Sequence, residues 1–166
     1  MPFFMVDGKL ISPKQAKNIG LESMTAEELE QLGIKRVDVP IKANRVGNLM
    51  TASIPEAGAN FDAKMLSEGV VDAGFMSVGD LPKGDTGAMF LAEALRANNA
   101  LPTKQLILSG ISNHETVAAY NAGVKAENTL VGNCATKALK ALGIPISSYR
   151  YEVVRDTLNI IIETGK

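Results

Sequence analysis

The sequence predicts an α+β fold in which a mainly antiparallel sheet packs against helices. Short strand-like segments occur in pairs joined by tight turns near both ends of the chain, as in antiparallel hairpins. Three segments between them have the periodicity of amphipathic helices, at residues 87–99, 113–123 and 133–143. With 166 residues, 46% of them hydrophobic and 21% charged, the chain can bury one globular core.

The N-terminal part predicts a hairpin, a helix and a strand. The segment FFMVDGKLIS alternates around Asp7-Gly8, a dipeptide typical of two-residue hairpin turns. In SMTAEELEQLG, Thr25 and Glu28 have the spacing of a capping box at the start of a helix that a glycine ends. The segment IKRVDVPIKA alternates as a strand does, and Pro40 marks it as an edge strand or marks its end.

Residues 46–166 are predicted to form an α+β core domain. Residues 1–45 are more polar, and we interpret them as an N-terminal hairpin-helix segment, either part of the same domain or a small appended subdomain. After Asn44 the chain is rich in turn formers, with one short helix near residues 61–68. The remaining predicted strands cover residues 70–82, 104–112, 149–154 and 157–163, the last two as a hairpin. The predicted helix caps are Asp85 or Thr86, Ser112 or Asn113, and Asn133.

Charge and composition argue against several classes of function. The net charge is −1 and no basic run occurs, so a nucleic-acid partner is not expected. One Cys and one His cannot form an intramolecular disulfide or a Cys-rich zinc site, and we expect neither a metal nor a cofactor. No signal peptide and no run of apolar residues long enough to span a membrane occurs, which predicts a cytoplasmic protein as synthesised. A protein exported by a dedicated machine would have the same features.

The single cysteine, Cys134, follows a Gly-Asn pair at the predicted start of a helix. A helix N-terminus stabilises a thiolate, and its N–H groups can bind the oxyanion that forms when sulfur attacks a carbonyl. Cysteine is also among the most buried residue types and packs as a small apolar side chain. Cys134 is therefore either a nucleophile or a core residue, and the residues around it bear on the choice.

The segment AYNAGVKAENTLVGNCATKALKALGIP resembles the nucleophile region of circularly permuted papain-like cysteine hydrolases, such as the lecithin retinol acyltransferase-like and PPPDE isopeptidase-like proteins. In these families an Asn-Cys pair opens a helix that ends near a glycine. The matching residues here are Asn133-Cys134, Ala135, Thr136, Leu139, Leu142 and Gly143. The resemblance covers roughly residues 106–145 and implies a papain-like permuted arrangement of the fold.

The resemblance also implies a reaction. Cys134 would attack an amide, peptide or ester carbonyl, and His114 would take the thiol proton and return it to the leaving group. The N–H groups of residues 134–135, together with the side chain of Asn133, would hold the oxyanion, which gives Ala135 its place in the candidate site. The expected substrate contains a peptide or amide bond. Small hydrolases of this kind occur among bacterial effectors and cell-wall amidases.

The histidine departs from the pattern of these families, where it usually starts a strand well upstream of the nucleophile. His114 lies in a segment that looks helical, and the strand DAGFMSVG has Gly74-Phe75 where the families have Gly-His. Either His114 acts from a rearranged position, or the fold is retained without full catalysis. The third catalytic residue stays open, and a carboxylate such as Asp72 would have to be brought in by the fold.

A second hypothesis is a non-catalytic binding or adaptor protein, such as a component of a phage or a secretion system. It rests on the missing upstream histidine and on the separate character of the N-terminal hairpin-helix segment. An exposed sheet edge near KRVDVP could then pair with a protein partner.

Overall fold

The computed structural model describes residues 2–11, 13–81 and 86–165. The N-terminal part forms a three-stranded antiparallel sheet with the strand order β2-β1-β3, flanked by two short helices. The elements are β1 (Pro2–Val6), β2 (Lys9–Ile11), α1 (Pro13–Asn18), α2 (Ala26–Gln31) and β3 (Lys35–Asp38).

Three predictions for this part are confirmed. Asp7 and Gly8 both have positive φ angles, 50° and 78°, and join β1 to β2 as a tight hairpin turn. Thr25 caps α2: its side chain accepts a hydrogen bond from the N–H of Glu28, and the Glu28 carboxylate accepts one from the N–H of Thr25. Strand β3 lies at an edge of the small sheet and ends before Pro40, as the proline indicates.

The rest of the chain forms a seven-stranded sheet with the strand order β4-β5-β6-β7-β8-β10-β9. All neighbouring strands are antiparallel except β7 and β8, which are parallel and are connected through a helix. The α+β class with a mostly antiparallel sheet is therefore confirmed. The elements are β4 (Lys42–Val46), β5 (Leu49–Ile54), β6 (Ala59–Ser67), β7 (Val70–Ser77), α3 (Thr86–Ala97), β8 (Gln105–Ile111), α4 (His114–Asn121), α5 (Leu130–Ala141), β9 (Ile146–Val154) and β10 (Thr157–Thr164).

The predicted helix near residues 61–68 is wrong, because this segment lies in strand β6. Its side chains alternate between buried and exposed, with Phe61 and Met65 in the core and Asp62 and Lys64 on the open face of the sheet. This period of two is that of a strand with one covered face. The turn formers around it serve tight connections between strands β4 to β7.

One face of the large sheet is covered by helices α3 and α5, which also contact each other. Phe90 and Leu95 of α3, Leu139 of α5 and Ile160 of β10 are fully buried in this main core. Phe3 of β1 and Val39 also belong to it, whereas Phe4, Ala16, Leu21 and Leu29 form a second, smaller cluster. Within the described ranges, no helix has the length and apolar character needed to cross a membrane.

Candidate functional site

Cys134 lies one turn inside α5 and not at its first residue. The helix begins at Leu130, and its N-cap is Thr129, whose side chain accepts a hydrogen bond from the N–H of Gly132 at 3.0 Å. The prediction that Asn133 is the N-cap is therefore wrong: its own N–H already donates to the carbonyl of Thr129 at 2.8 Å. The side chain of Asn133 is exposed.

Gly132 allows the start of α5 to lie close against the segment that precedes it. A Cβ atom at this position would lie 1.9 Å from the carbonyl oxygen of Ala126, in the short 3₁₀ helix that precedes α5. The glycine is thus required by the close approach of the first turn of α5 to the backbone of the preceding 3₁₀ helix, and not by a turn.

The N–H groups of Cys134 and Ala135 are donors within α5, since the helix extends a full turn before them. Ala135 is only 1% exposed and packs in the main core. These two N–H groups are therefore not directed toward an oxyanion beside the thiol. The oxyanion site expected at residues 134–135 would need donors from another element.

The thiol of Cys134 instead faces the first turn of α3. A Cβ atom added at Gly87, the second residue of α3, would lie 3.5 Å from the sulfur and 3.4 Å from Cγ1 of Val78. Cys134 is half-buried and packs against the main core. The hydroxyl of Thr86, the residue before Gly87, is completely buried and has no hydrogen-bond partner in the part of the chain that the structure describes. The predicted cap Asp85 lies outside the described residues.

His114 is the first residue of α4, and its side chain is exposed. Asn113 caps this helix, as one of the two predicted alternatives, by accepting a hydrogen bond from the N–H of Thr116 at 2.9 Å. Helices α4 and α5 are linked close to their first turns by a bond of 3.3 Å from the N–H of Val131 to the hydroxyl of Thr116.

Asp72, the carboxylate considered as an orienting group, does not point toward this region. It lies on β7 between Val71 and Ala73, which face the main core, so its side chain is on the opposite face of the sheet. There its carboxylate accepts a hydrogen bond of 2.5 Å from the hydroxyl of Ser109. Asp72 therefore lies on the face of the sheet away from the main core against which Cys134 packs. The described residues contain no cluster of His, Cys, Asp and Glu suited to a metal ion.

No family model matches this chain, and no curated protein matches its sequence.

A cleft that sequence reasoning did not identify lies between α2 and the start of β3. Its volume is about 440 Å³, and it is lined by Ala26, Leu29, Glu30, Gly33, Ile34, Lys35 and Arg36. The turn between the two elements is tight: the N–H of Ile34 donates to the carbonyl of Leu29 at 2.9 Å, which directs the strand back alongside the helix.

The open side of β3 next to this cleft carries backbone and side-chain groups for recognition. Successive residues of an antiparallel strand direct their backbone N–H and C=O groups alternately toward one neighbouring strand and toward the other side. In the register that starts from the Asp7-Gly8 turn, the backbone groups of Lys35 and Val37 point toward β1. The N–H and C=O of Arg36 therefore point outward. Its guanidinium lies 5.5 Å from the centre of the Phe4 ring, an arrangement that holds the cation over the sheet.

Proposed function

We propose that this protein is a non-catalytic binding protein that receives an extended segment of a protein partner at the β3 edge. The partner segment would add to the small sheet as a fourth strand, with one apolar side chain in the cleft between α2 and β3. The observation that carries this proposal is the coincidence of an open strand edge with an adjoining cleft. Recognition by strand addition uses these two parts, main-chain hydrogen bonds for affinity and a side-chain pocket for specificity.

Charge defines the chemistry of the partner segment. Lys35 and Arg36 are both exposed at the edge, and Glu30 is the acidic residue that lines the cleft. A partner residue that flanks the apolar anchor would therefore be favoured if it were acidic, because it would lie near two cations. Leu29, which is 3% exposed, and Ile34 supply the apolar lining.

The arrangement around Cys134 supports a binding role over the papain-like hydrolase. His114 is exposed and lies on another helix, α4. The N–H groups of residues 134–135 are donors within α5. A nucleophilic cysteine requires donors aimed at the developing oxyanion, and the N–H groups expected to supply them are engaged within the helix.

The proposal is tested by selecting peptides from a random display library against the intact protein. We expect the selected peptides to share an apolar residue next to an acidic one. In a nuclear magnetic resonance titration, the strongest shift changes should fall in residues 26–37. Lys35→Glu should weaken binding of the best peptide by roughly tenfold, the size of effect expected when one favourable charge contact becomes repulsive.

The matched control is Lys9→Glu, which makes the same charge change on β2, at the other edge of the same small sheet. Binding should be unchanged in this variant. Shift changes that map to another surface, or equal losses in both variants, would contradict the proposal.

A second candidate is a cysteine-dependent hydrolase of amide, peptide or ester bonds, and one observation favours it. The sulfur of Cys134 faces the first turn of α3, where the N–H groups have no partner within the helix. Such a helix terminus stabilises a thiolate and can hold an oxyanion. In this candidate α3 replaces α5 as the source of the helix N-terminus, and Cys134 remains the nucleophile.

A further inference from the structure

Strand β9 forms one edge of the seven-stranded sheet and differs from the other sheet edges. It is nine residues long, contains neither proline nor glycine, and its one cation, Arg150, is already paired with Glu163. Val153 and Val154 are 50% and 45% exposed. A long edge strand of this kind presents unpaired N–H and C=O groups to another chain unless the protein protects it.

The β4 and β2 edges of the two sheets carry such protection. Strand β4, at the opposite end of the large sheet, has Lys42 and Arg45 within five residues. In the small sheet, β2 is only three residues long. Short length and cations are standard means of preventing edge pairing. The contrast therefore singles out β9.

The hairpin fixes which backbone groups of β9 are open. Val154 is hydrogen-bonded to Thr157 across the two-residue turn. Because the bonding direction alternates along the strand, the backbone groups of Glu152 and Arg150 also point toward β10. The N–H and C=O groups of the alternate residues, Tyr149, Tyr151 and Val153, point away from the sheet. No backbone or side-chain group in the described chain bonds to them.

A symmetric antiparallel pairing centred on Tyr151 satisfies these open groups. In this register, Tyr151 lies opposite Tyr151 of the second copy, and Tyr149 lies opposite Val153, so the outward groups of both strands meet. The exposed Val153 then packs beside the Tyr149 ring of the other copy. A two-fold axis through this point makes the surface self-complementary, as an isologous dimer requires.

The same register also matches the charges. Arg150 lies opposite Glu152 of the second copy, and the symmetry repeats the pair on the other side of the axis. Both side chains are exposed on the open face of the sheet. Arg150 already binds Glu163 within its own chain at 2.9 Å, and its guanidinium has five N–H donors, enough for a second carboxylate. Registers centred one residue away would place Arg150 opposite Arg150, or Glu152 opposite Glu152, so like charges disfavour them.

We propose that this protein forms a two-fold symmetric homodimer through antiparallel pairing of β9 with β9 of a second copy, in the register that places Arg150 opposite Glu152. The two seven-stranded sheets become one continuous sheet across the interface. This surface is separate from the cleft between α2 and β3, so the dimer leaves both partner-binding edges accessible.

Sedimentation velocity over a concentration series tests the dimer directly. The wild type should show a concentration-dependent monomer–dimer equilibrium. In Glu152→Arg, Arg150 of each copy lies opposite an arginine of the other copy, so both charge pairs become repulsive. This change should raise the dimer Kd by about tenfold or more. Arg150→Glu should act in the same direction. An equimolar mixture of the two variants restores both opposite-charge pairs and should form a heterodimer at concentrations where each variant alone is monomeric.

The matched control is Lys42→Glu, a charge reversal on the β4 edge of the same sheet, which should leave the Kd unchanged. Circular dichroism confirms that each variant is folded. Hydrogen exchange of the Tyr151 and Val153 amides should slow as the wild-type concentration rises. A wild type that stays monomeric at the highest attainable concentration, or a dimer that Glu152→Arg leaves intact, overturns the proposal.

Discussion

Cys134 lies where two helices meet, and its chemistry depends on which helix acts on its sulfur. Its own helix, α5, begins at Leu130 and uses the nearby N–H groups internally. The first turn of α3 faces the sulfur through Gly87, a residue that leaves space for the approach. The reactivity of this thiol therefore reports on α3 and on the groups beside it.

The rate of alkylation of Cys134 by iodoacetamide, measured against pH, separates the two candidate functions. If the thiol is a half-buried core residue, we expect slow alkylation that accelerates only on denaturation, and no effect of His114→Ala. If the first turn of α3 activates the sulfur, the thiolate should react well below pH 8.5, the ordinary pKa of a thiol being about 8.5. A low apparent pKa that disappears in His114→Ala would show that the histidine reaches the thiol after all, and would contradict the binding-only proposal.

The sequence predicted the residue types at this site better than their positions. The apolar face of α5 and its end near Gly143 are as expected, since Leu139 is buried and Gly143 has a φ of 73°. The helix start was missed because Asn133 has the residue type of an N-cap, whereas Thr129 fills that position. Gly132 is needed for its close approach to Ala126 of the preceding 3₁₀ helix, and such a contact cannot be inferred from local periodicity.

At the level of elements, the helices and hairpins with local signals were predictable, and strands that depend on their neighbours were not. The capping box of α2 and the β9–β10 hairpin are stabilised by groups a few residues apart in sequence. In β6, alanines and a glycine-rich setting give a weak local preference, and burial against strands β5 and β7 decides the structure. Tertiary pairing therefore overrides the local signal there.

The β8–β10–β9 part of the sheet gives a pH-dependent contribution to stability. The hydrogen bond from Arg150 and then that from Gln105 hold the pKa of Glu163 below its ordinary value of 4.5. A lowered folded-state pKa stabilises the protein above the unfolded-state value, and this contribution is lost as the pH falls through the folded-state pKa. Because the carboxylate is partly exposed, we expect only about 0.5 kcal/mol at pH 7.

Urea unfolding of Glu163→Gln at pH 7 and pH 3 measures this contribution. The variant should be less stable than the wild type at pH 7 and nearly equal to it at pH 3. Glu68→Gln, which removes a carboxylate from the exposed turn between β6 and β7, serves as the control. If Glu163→Gln lowers the free energy of unfolding equally at both pH values, the effect comes from packing and not from ionisation.

For the whole molecule, strand β1 connects the two hydrophobic clusters. Neighbouring residues of a strand point to opposite faces, and here Phe3 is part of the main core while Phe4 belongs to the smaller cluster with Leu21 and Leu29. The sequence predicted the hairpin but left open whether the N-terminal segment is part of the core. The answer depends on which face of β1 meets the large sheet, and that is a tertiary relationship.

The two phenylalanines provide a matched pair for testing how far the N-terminal segment supports the large sheet. Phe3 is 1% exposed and Phe4 is 8% exposed, so Phe3→Ala and Phe4→Ala each leave a cavity worth about 3–5 kcal/mol. We expect Phe3→Ala to destabilise the whole molecule, with faster hydrogen exchange in β5, β6 and α3. Phe4→Ala should accelerate exchange mainly in residues 2–38, because its cavity lies in the smaller cluster. If Phe3→Ala leaves exchange in the large sheet unchanged, the two clusters unfold independently, and the N-terminal segment is an appended unit that carries the partner-binding edge without supporting the core.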